Sequence, residues 1–455
     1  MPTDEAMALN HVNTYGSPSD LRITDIRFTD IVGAPMHCIL MKLYTNQGLV
    51  GFGEVRDGAS RMYAETLKSR LLGENPCQID KLFRRIKQFG GPARQGGGVS
   101  GVEIALWDLA GKAYGVPVYQ MLGGKFRDRI RMYCDTDAGH RTTGATMGEA
   151  LKARMALGYT FVKMDLGISL LADIPGALSG PLDWLERMRH GRGGAASAAD
   201  TPEGRRERRH RAYDVANVAH PFTHVRITEK GLEHLEAFVA EVRSVIGYEV
   251  PLAVDHIGHI GVEEGIKLAR RLEPYNLAWM EDVVPWQLTE QYVELSRATT
   301  VPICTGEDIY LKENFRPLLE ARGVSIIHPD VLTSGGILEN KKIADLAQEH
   351  GVSMAIHMAE SPIACMAAVH SAAASENFVA LEYHSVDVAW WDDITSGLPK
   401  PLVQNGFITV PDRPGLGIES LNDEVLAEHL HPGYPELWAA TDRWDDDPAN
   451  DRLWS

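Results

Sequence analysis

The sequence predicts an α/β protein: a (β/α)-type barrel preceded by a smaller α+β unit. Three observations carry this. From residue 129 to 383, short apolar runs alternate with segments of helical periodicity, giving eight strand candidates. Three consecutive runs close on an acid: Pro-Leu-Ala-Val-Asp255, Leu-Ala-Trp-Met-Glu281 and Pro-Ile-Cys-Thr-Gly-Glu307. Successive acids lie 26 residues apart. A strand, a helix and the two loops joining them use about that many residues. Ahead of residue 125 the pattern is different, alternating at period two and then turning helical.

Taken in order, residues 1–20 read as a loose arm. Between 22 and 54 three alternating stretches follow one another, the last two separated by the turn signal Thr45-Asn-Gln-Gly48. They predict a three-stranded antiparallel sheet. Residues 60–90 and 99–115 read as helices, with Val102, Ala105, Leu106, Leu109 and Ala110 on one apolar face. Gly115-Val-Pro117 stops the second helix. The α+β unit thus spans 21–125, and the barrel 126–400.

The eight barrel strands are expected at 129–135, 159–165, 251–255, 277–282, 302–307, 324–330, 353–357 and 379–383. The interval between the second and third is several times too long for one helix and two loops. Residues 168–225 are therefore an insertion, read as a solvated loop. Its Arg-rich stretch 204–211 also suits a basic flap over the mouth for an anionic substrate. The C-terminal segment 401–455 is expected to return to the N-terminal unit.

A chain of 455 residues, 44% hydrophobic and 24% charged, suffices for one large domain and a smaller one. The net charge of −17 argues against nucleic acid or an anionic membrane as partner. Five scattered cysteines without a CxxC suggest neither a disulfide framework nor a zinc site. Residues 1–20 hold no apolar signal core, and no apolar run is long enough to span a bilayer. A soluble, cytoplasmic protein is expected.

In a parallel barrel the carboxyl ends of the strands converge on one face. Three carboxylates meeting there would repel one another unless a cation joined them. Asp255, Glu281 and Glu307 are thus candidate metal ligands, and oxygen donors favour Mg²⁺, then Mn²⁺. The other strands also end in chemical residues. Lys163 and Asp165 share one face of the second strand. The sixth ends in His328-Pro-Asp330, the seventh in His357 and the eighth in Glu382. Asp330 and His357 stand at neighbouring tips, where a carboxylate fixes the tautomer of an imidazole base. Thr333-Ser-Gly-Gly-Ile337 reads as a tight turn into a helix. His37, in the loop between the first two strands, is a candidate for reading the far end of a substrate. Trp390 could line the mouth, and packing against the N-terminal unit is the equal alternative.

The stretch from Gly101-Val-Glu-Ile-Ala-Leu-Trp-Asp to Gln-Met-Leu-Gly-Gly124 resembles the helix and turn that lead into the barrel in the enolase superfamily. The acid trio, the Asp330/His357 pair and Glu382 resemble its mandelate racemase subgroup. The resemblance covers nearly the whole chain outside 1–20 and 168–225. It implies a (β/α)₇β modified TIM barrel with an α+β capping domain, and Mg²⁺ on Asp255, Glu281 and Glu307. It also implies a carboxylate substrate that loses its α-proton to a base, and an enediolate stabilised by metal and Glu382. Family members are commonly dimers to octamers, so a homo-oligomer is expected.

The sequence departs from the subgroup at two places. Lys163-Met-Asp165 stands where many members carry Lys-x-Lys, and Ile257 where many carry Asn two residues after the first metal ligand. Some sugar-acid dehydratases of the subgroup also lack the second Lys and use a nearby His as acid, which makes His256 and His259 candidates. With one clear base, His357, the expected reaction is dehydration of a sugar acid to a 2-keto-3-deoxy acid by a lyase. Epimerisation, racemisation or cycloisomerisation of a similar acid is the alternative, and a barrel that binds an acid without turning it over is the reading from another class. Lys163 is expected to stabilise negative charge on the substrate, and Asp165 to pair with Lys163 or bind a substrate hydroxyl.

Overall fold

The computed structural model describes residues 17–446 apart from 138, 140, 181–224 and 259. Most of the N-terminal arm, the basic stretch of the insertion and His259 lie outside the described residues. The chain forms two compact units. One draws on residues 1–134, 306–317 and 327–455, the other on 135–305 and 318–326.

The first unit opens on an antiparallel meander of β1 (Ile23–Ile31), β2 (Cys38–Thr45) and β3 (Val50–Val55). The long helix α1 (Gly97–Tyr114) packs on it. Glycine makes this packing possible: a Cβ at Gly51 would lie 2.3 Å from the Ala105 carbonyl oxygen, and one at Gly53 2.2 Å from that of Gly101. Backbone therefore meets backbone where two larger residues would hold them apart. Helix α1 is buried nearly all round and ends on Gly115 in the left-handed conformation, φ 72°.

The same unit holds the first barrel strand, β4 (Arg129–Cys134). The remaining described strands are β5 (Val162–Asp165), β6 (Leu178–Ser179), β7 (Arg226–Ile227), β8 (Leu252–Asp255), β9 (Trp279–Glu281), β10 (Ile303–Thr305), β11 (Ile326–Ile327), β12 (Ser353–Ile356), β13 (Phe378–Tyr383) and β14 (Phe407–Thr409). In the first unit β12 pairs parallel with β13, and β13 with β4. Strand β14 returns antiparallel onto β4, Phe407 opposite Arg131. The C-terminal segment also reaches the meander, where His431 N donates to Asp30 O at 2.8 Å and Val32 N to His429 O at 3.0 Å.

In the second unit β5, β8, β9 and β10 pair in that order, all parallel. The two ends of the long insertion zip together as the short ribbon β6–β7, Leu178 opposite Ile227. The hydrogen-bonded strand order of the main sheet is β13-β12-β11-β10-β9-β8-β5-β4-β14, with β13 also on β4. Eight strands from β4 to β13, leaving aside the ribbon, make the parallel barrel that the alternation predicts.

Seven helices alternate with these strands: α2 (Gly144–Ala156), α3 (Glu229–Ile246), α4 (Val262–Leu272), α5 (Thr289–Ala298), α6 (Lys312–Glu320), α7 (Ile337–Glu349) and α8 (Pro362–Ala374). Local chemistry starts several of them. Thr143 accepts from Thr146 N and Thr228 from Gly231 N. Among the described residues no helix is long and apolar enough to cross a membrane.

Buried polar bonds join the meander and α1 to late barrel elements of the same unit. Glu54 at the end of β3 accepts from Ser361 N at 3.2 Å, Ser361 Oγ at 2.6 Å and Ala364 N at 3.2 Å, so it caps α8. Glu103 in α1 accepts from Ile337 N at 2.7 Å and Leu338 N at 3.0 Å at the start of α7. Each carboxylate sits at a helix N-terminus, where unpaired N–H groups favour an acceptor.

Candidate active site

In the second unit, the apolar runs place Asp255 at the carboxyl end of β8 and Glu281 at that of β9. Both are buried, and both accept from Lys163 Nζ, at 2.8 and 2.9 Å. Asp135 lies 4.0 Å from the same ammonium. The second oxygen of Glu281 accepts from Trp279 Nε1 at 2.6 Å, which fixes the carboxylate plane. Two buried carboxylates turned toward one point hold a cation there, and their oxygen-only donor set fits a hard divalent ion.

The strand-sharing of Lys163 and Asp165 predicts that the two could pair. The structure instead gives the Lys163 ammonium to Asp255 and Glu281, and brings Asp165 to His256. Strand β8 ends at Asp255, and His256 adopts the left-handed φ of 54°. That turn brings its ring back over β5, where Nδ1 meets Asp165 Oδ1 at 2.7 Å. The Asp165 hydrogen bond raises the His256 pKa, with burial opposing and the Asp255 charge adding to it. On an unbroken strand His256 would point away from Asp255; the left-handed residue is the departure that turns it to Asp165, with its side chain still 64% exposed.

In the first unit, the short bridge between Asp330 and His357 aligns the two side chains. His357 Nδ1 is 2.6 Å from Asp330 Oδ2, and Leu332 N donates to the other Asp330 oxygen at 2.6 Å. With Nδ1–H given to Asp330, Nε2 is left to face Glu307 Oε2 at 3.0 Å and Glu382 Oε2 at 3.8 Å. Burial alone would favour a neutral ring. The charges of Glu307 and Glu382 outweigh it and, with the Asp330 bond, raise His357 well above the ordinary imidazole value. Glu307, only partly buried, is held well below the usual carboxylate range by His357, Arg56 and His328. It is thus an ionised oxygen donor, as a metal ligand must be.

Several residues missing from the sequence reading belong to this cluster. Arg56, 1% exposed, follows β3 and sends its guanidinium to Glu360 and, at 3.3 Å, to Asp330. Its spacing of two from Glu54 at the end of an apolar strand marks a charged pair, but nothing local names the partners. His384 Nε2 lies 3.2 Å from Glu382 Oε1. Being two residues beyond Glu382, it shares a strand face with it, a signal legible in the sequence.

Three other candidates make contacts of their own. His37 Nε2 is 3.0 Å from Asp30 Oδ1, and its ring stacks on His431 at 4.9 Å. Trp390 stacks on His429 at 3.5 Å, the packing alternative for that residue. His328 is fully buried, its ring 6.3 Å from that of His357.

Comparison with known proteins agrees with this architecture. Residues 28–123 match the mandelate racemase / muconate lactonizing enzyme N-terminal domain, and 207–424 the enolase C-terminal domain-like family. A D-xylonate dehydratase from Haloferax volcanii is 34% identical over 435 residues, covering 94% of this chain and 93% of that protein. A D-galactonate dehydratase from Ralstonia pickettii is 30% identical over 406 residues, covering 86% and 90%. A mandelate racemase/muconate lactonizing enzyme-like protein from Rubrobacter xylanophilus superposes with a TM-score of 0.75 at 30% identity, covering 92% of this chain and 100% of that one. Such sugar-acid dehydratases are hydro-lyases, consistent with a lyase activity here. The buried acids at the strand ends, the His357–Asp330 dyad and the barrel that carries them thus have a common explanation: this chain belongs to the enolase superfamily, in its mandelate racemase subgroup.

Proposed function

We propose that the protein dehydrates a sugar acid to a 2-keto-3-deoxy acid. One observation carries the reading above all: His357 Nδ1 lies 2.6 Å from Asp330 Oδ2 at neighbouring strand tips, a carboxylate-oriented imidazole of the kind a proton-abstracting base needs. The dehydratase relatives support it.

The cation would be Mg²⁺, or secondly Mn²⁺, held by Asp255, Glu281 and Glu307. When bound it supplies charge neutralisation for the substrate carboxylate, whose α-proton is otherwise very weakly acidic. The chain's residues do the rest. His357 Nε2 takes the α-proton, and Asp330 stabilises the imidazolium that forms. The C–H electron pair becomes that of the enediolate. Glu382, fully buried, presents a hydrogen bond to the oxygen where charge grows, for which it must carry a proton. The buried Lys163 ammonium adds fixed positive charge. The β-hydroxyl leaves as water after receiving a proton, which in this reading comes from His256, held toward the protonated form by Asp165. The resulting enol tautomerises to the 2-keto acid. His259 is the second acid suggested by the sequence. A cytoplasmic location and an even-numbered homo-oligomer go with this reading, the first open to cell fractionation and the second to native mass.

Incubation with D-xylonate, D-galactonate and other aldonic and aldaric acids in Mg²⁺ tests the proposal, with 2-keto acid as the readout. Keto product supports it. Exchange of the α-proton in D₂O without keto product would replace it by epimerisation. Neither product nor exchange across the set leaves an acid-binding barrel.

A further inference from the structure

We propose that His357, Glu382 and His384 form a second, softer metal site that binds Zn²⁺ and thereby blocks the base. His357 Nε2, a Glu382 oxygen and a His384 ring nitrogen all lie within 4.8 Å of one another. The separations are 3.8 Å from His357 Nε2 to Glu382 Oε2 and 3.2 Å from His384 Nε2 to Glu382 Oε1. Tetrahedral zinc with bonds of about 2.0–2.2 Å sets its ligand atoms about 3.3 Å apart. Side-chain rotations that move these atoms by about an ångström therefore close the set.

The donor chemistry separates this site from the oxygen-only trio. Two imidazoles and one carboxylate are the zinc set of open catalytic centres, and imidazole favours Zn²⁺ strongly over Mg²⁺. The outer contacts are also those of a zinc histidine. His357 Nδ1 lies 2.6 Å from Asp330 Oδ2, which orients the ring and makes Nε2 the atom offered to a metal. That orientation suits a base and a zinc ligand equally. The surroundings favour positive charge: Glu307 stands 3.0 Å from His357 Nε2, and Glu382 is fully buried. His384 keeps 16% of its side chain exposed.

Binding itself does not depend on the reaction proposed above; only the inhibition rests on His357 being the base. The test is calorimetric titration of the full chain with Zn²⁺ in excess Mg²⁺, with Co²⁺ absorption as a second reading of coordination. About one Zn²⁺ per chain is expected beyond the Mg²⁺ complement, with tetrahedral cobalt bands. His384→Ala and His384→Gln should each weaken Zn²⁺ binding at least tenfold and relieve zinc inhibition in parallel. Circular dichroism and native mass establish that the variants are folded, and two different replacements guard against one failing to fold. Absence of Zn²⁺ binding in excess Mg²⁺, or unchanged affinity in both folded variants, overturns the site. Zinc binding without any keto-acid product would leave the site standing and remove the dehydratase reading alone.

Discussion

Arg56→Met is the most informative single change. The guanidinium lies in a fully buried place between two carboxylates, at 3.3 Å from Asp330 and in direct contact with Glu360. Asp330, Glu360 and Arg56 are each at most 1% exposed. Methionine fills much of the same volume and removes the charge, so the variant isolates electrostatics from packing. Removing one partner of a buried pair costs about 3–5 kcal/mol, because the remaining charge stays desolvated. The pH dependence follows from Asp330. Burial alone would raise its pKa, but Arg56 first and His357 next hold it below the ordinary value of 3.8. A carboxyl lowered in the folded state contributes stability above its unfolded pKa, and this is lost as pH falls through the folded one. Without Arg56 that contribution shrinks. The gap between wild type and variant should therefore be full at neutral pH and narrow below about pH 4. Urea midpoints across pH measure it, and the cycle with Glu360→Gln isolates the pair. Because Asp330 orients His357, α-proton exchange should fall with the stability. A cost under about 1 kcal/mol, or additivity within about 0.5 kcal/mol in the cycle, would refute the reasoning.

Three further outcomes are expected. His357→Asn should lower α-proton exchange by about 10²–10⁴-fold, Lys163→Met should cut turnover severely, and Asp165→Asn should cost less than His357→Asn; exchange lost in Asp165→Asn but kept in His357→Asn would move the base to the second strand. Chelation should abolish turnover, with Mg²⁺ restoring it in wild type and calorimetric Mg²⁺ affinity falling in Asp255→Asn and Glu281→Gln; full turnover after chelation would remove the metal from the scheme. Glu103 is pushed up to about 8 by burial, against the Leu338, Ile337 and Trp107 bonds. As a raised group, it contributes stability fully present below about pH 4.5 and lost as pH rises through about 8, at up to about 1.4 kcal/mol per pH unit. Glu103→Gln should flatten the decline in urea midpoint between pH 5 and 8, and an unchanged slope counts against that assignment.

Much of this protein is legible in one sequence because its elements are periodic. The 26-residue spacing of Asp255, Glu281 and Glu307 and the alternation from 129 to 383 place each strand and its final acid. Both depend only on local rules: two residues per pleat, 3.6 per helical turn, and a loop cost that keeps connections short. The left-handed Gly115 likewise follows from local sterics. Partnership across the chain is another matter. Arg56 meets Asp330 over 274 positions, and Glu54 caps a helix that begins 308 residues later. No local period encodes such pairs, because they arise where separately formed elements come to rest against one another. His256 shows the same limit within a few residues. A strand rule points it outward, and one left-handed residue at the strand's end turns it to Asp165. Sequence determined which chemical groups stand at the strand ends; the tertiary fold decided which buried charges face each other, since burial is what makes an unpaired charge too costly to leave without a partner.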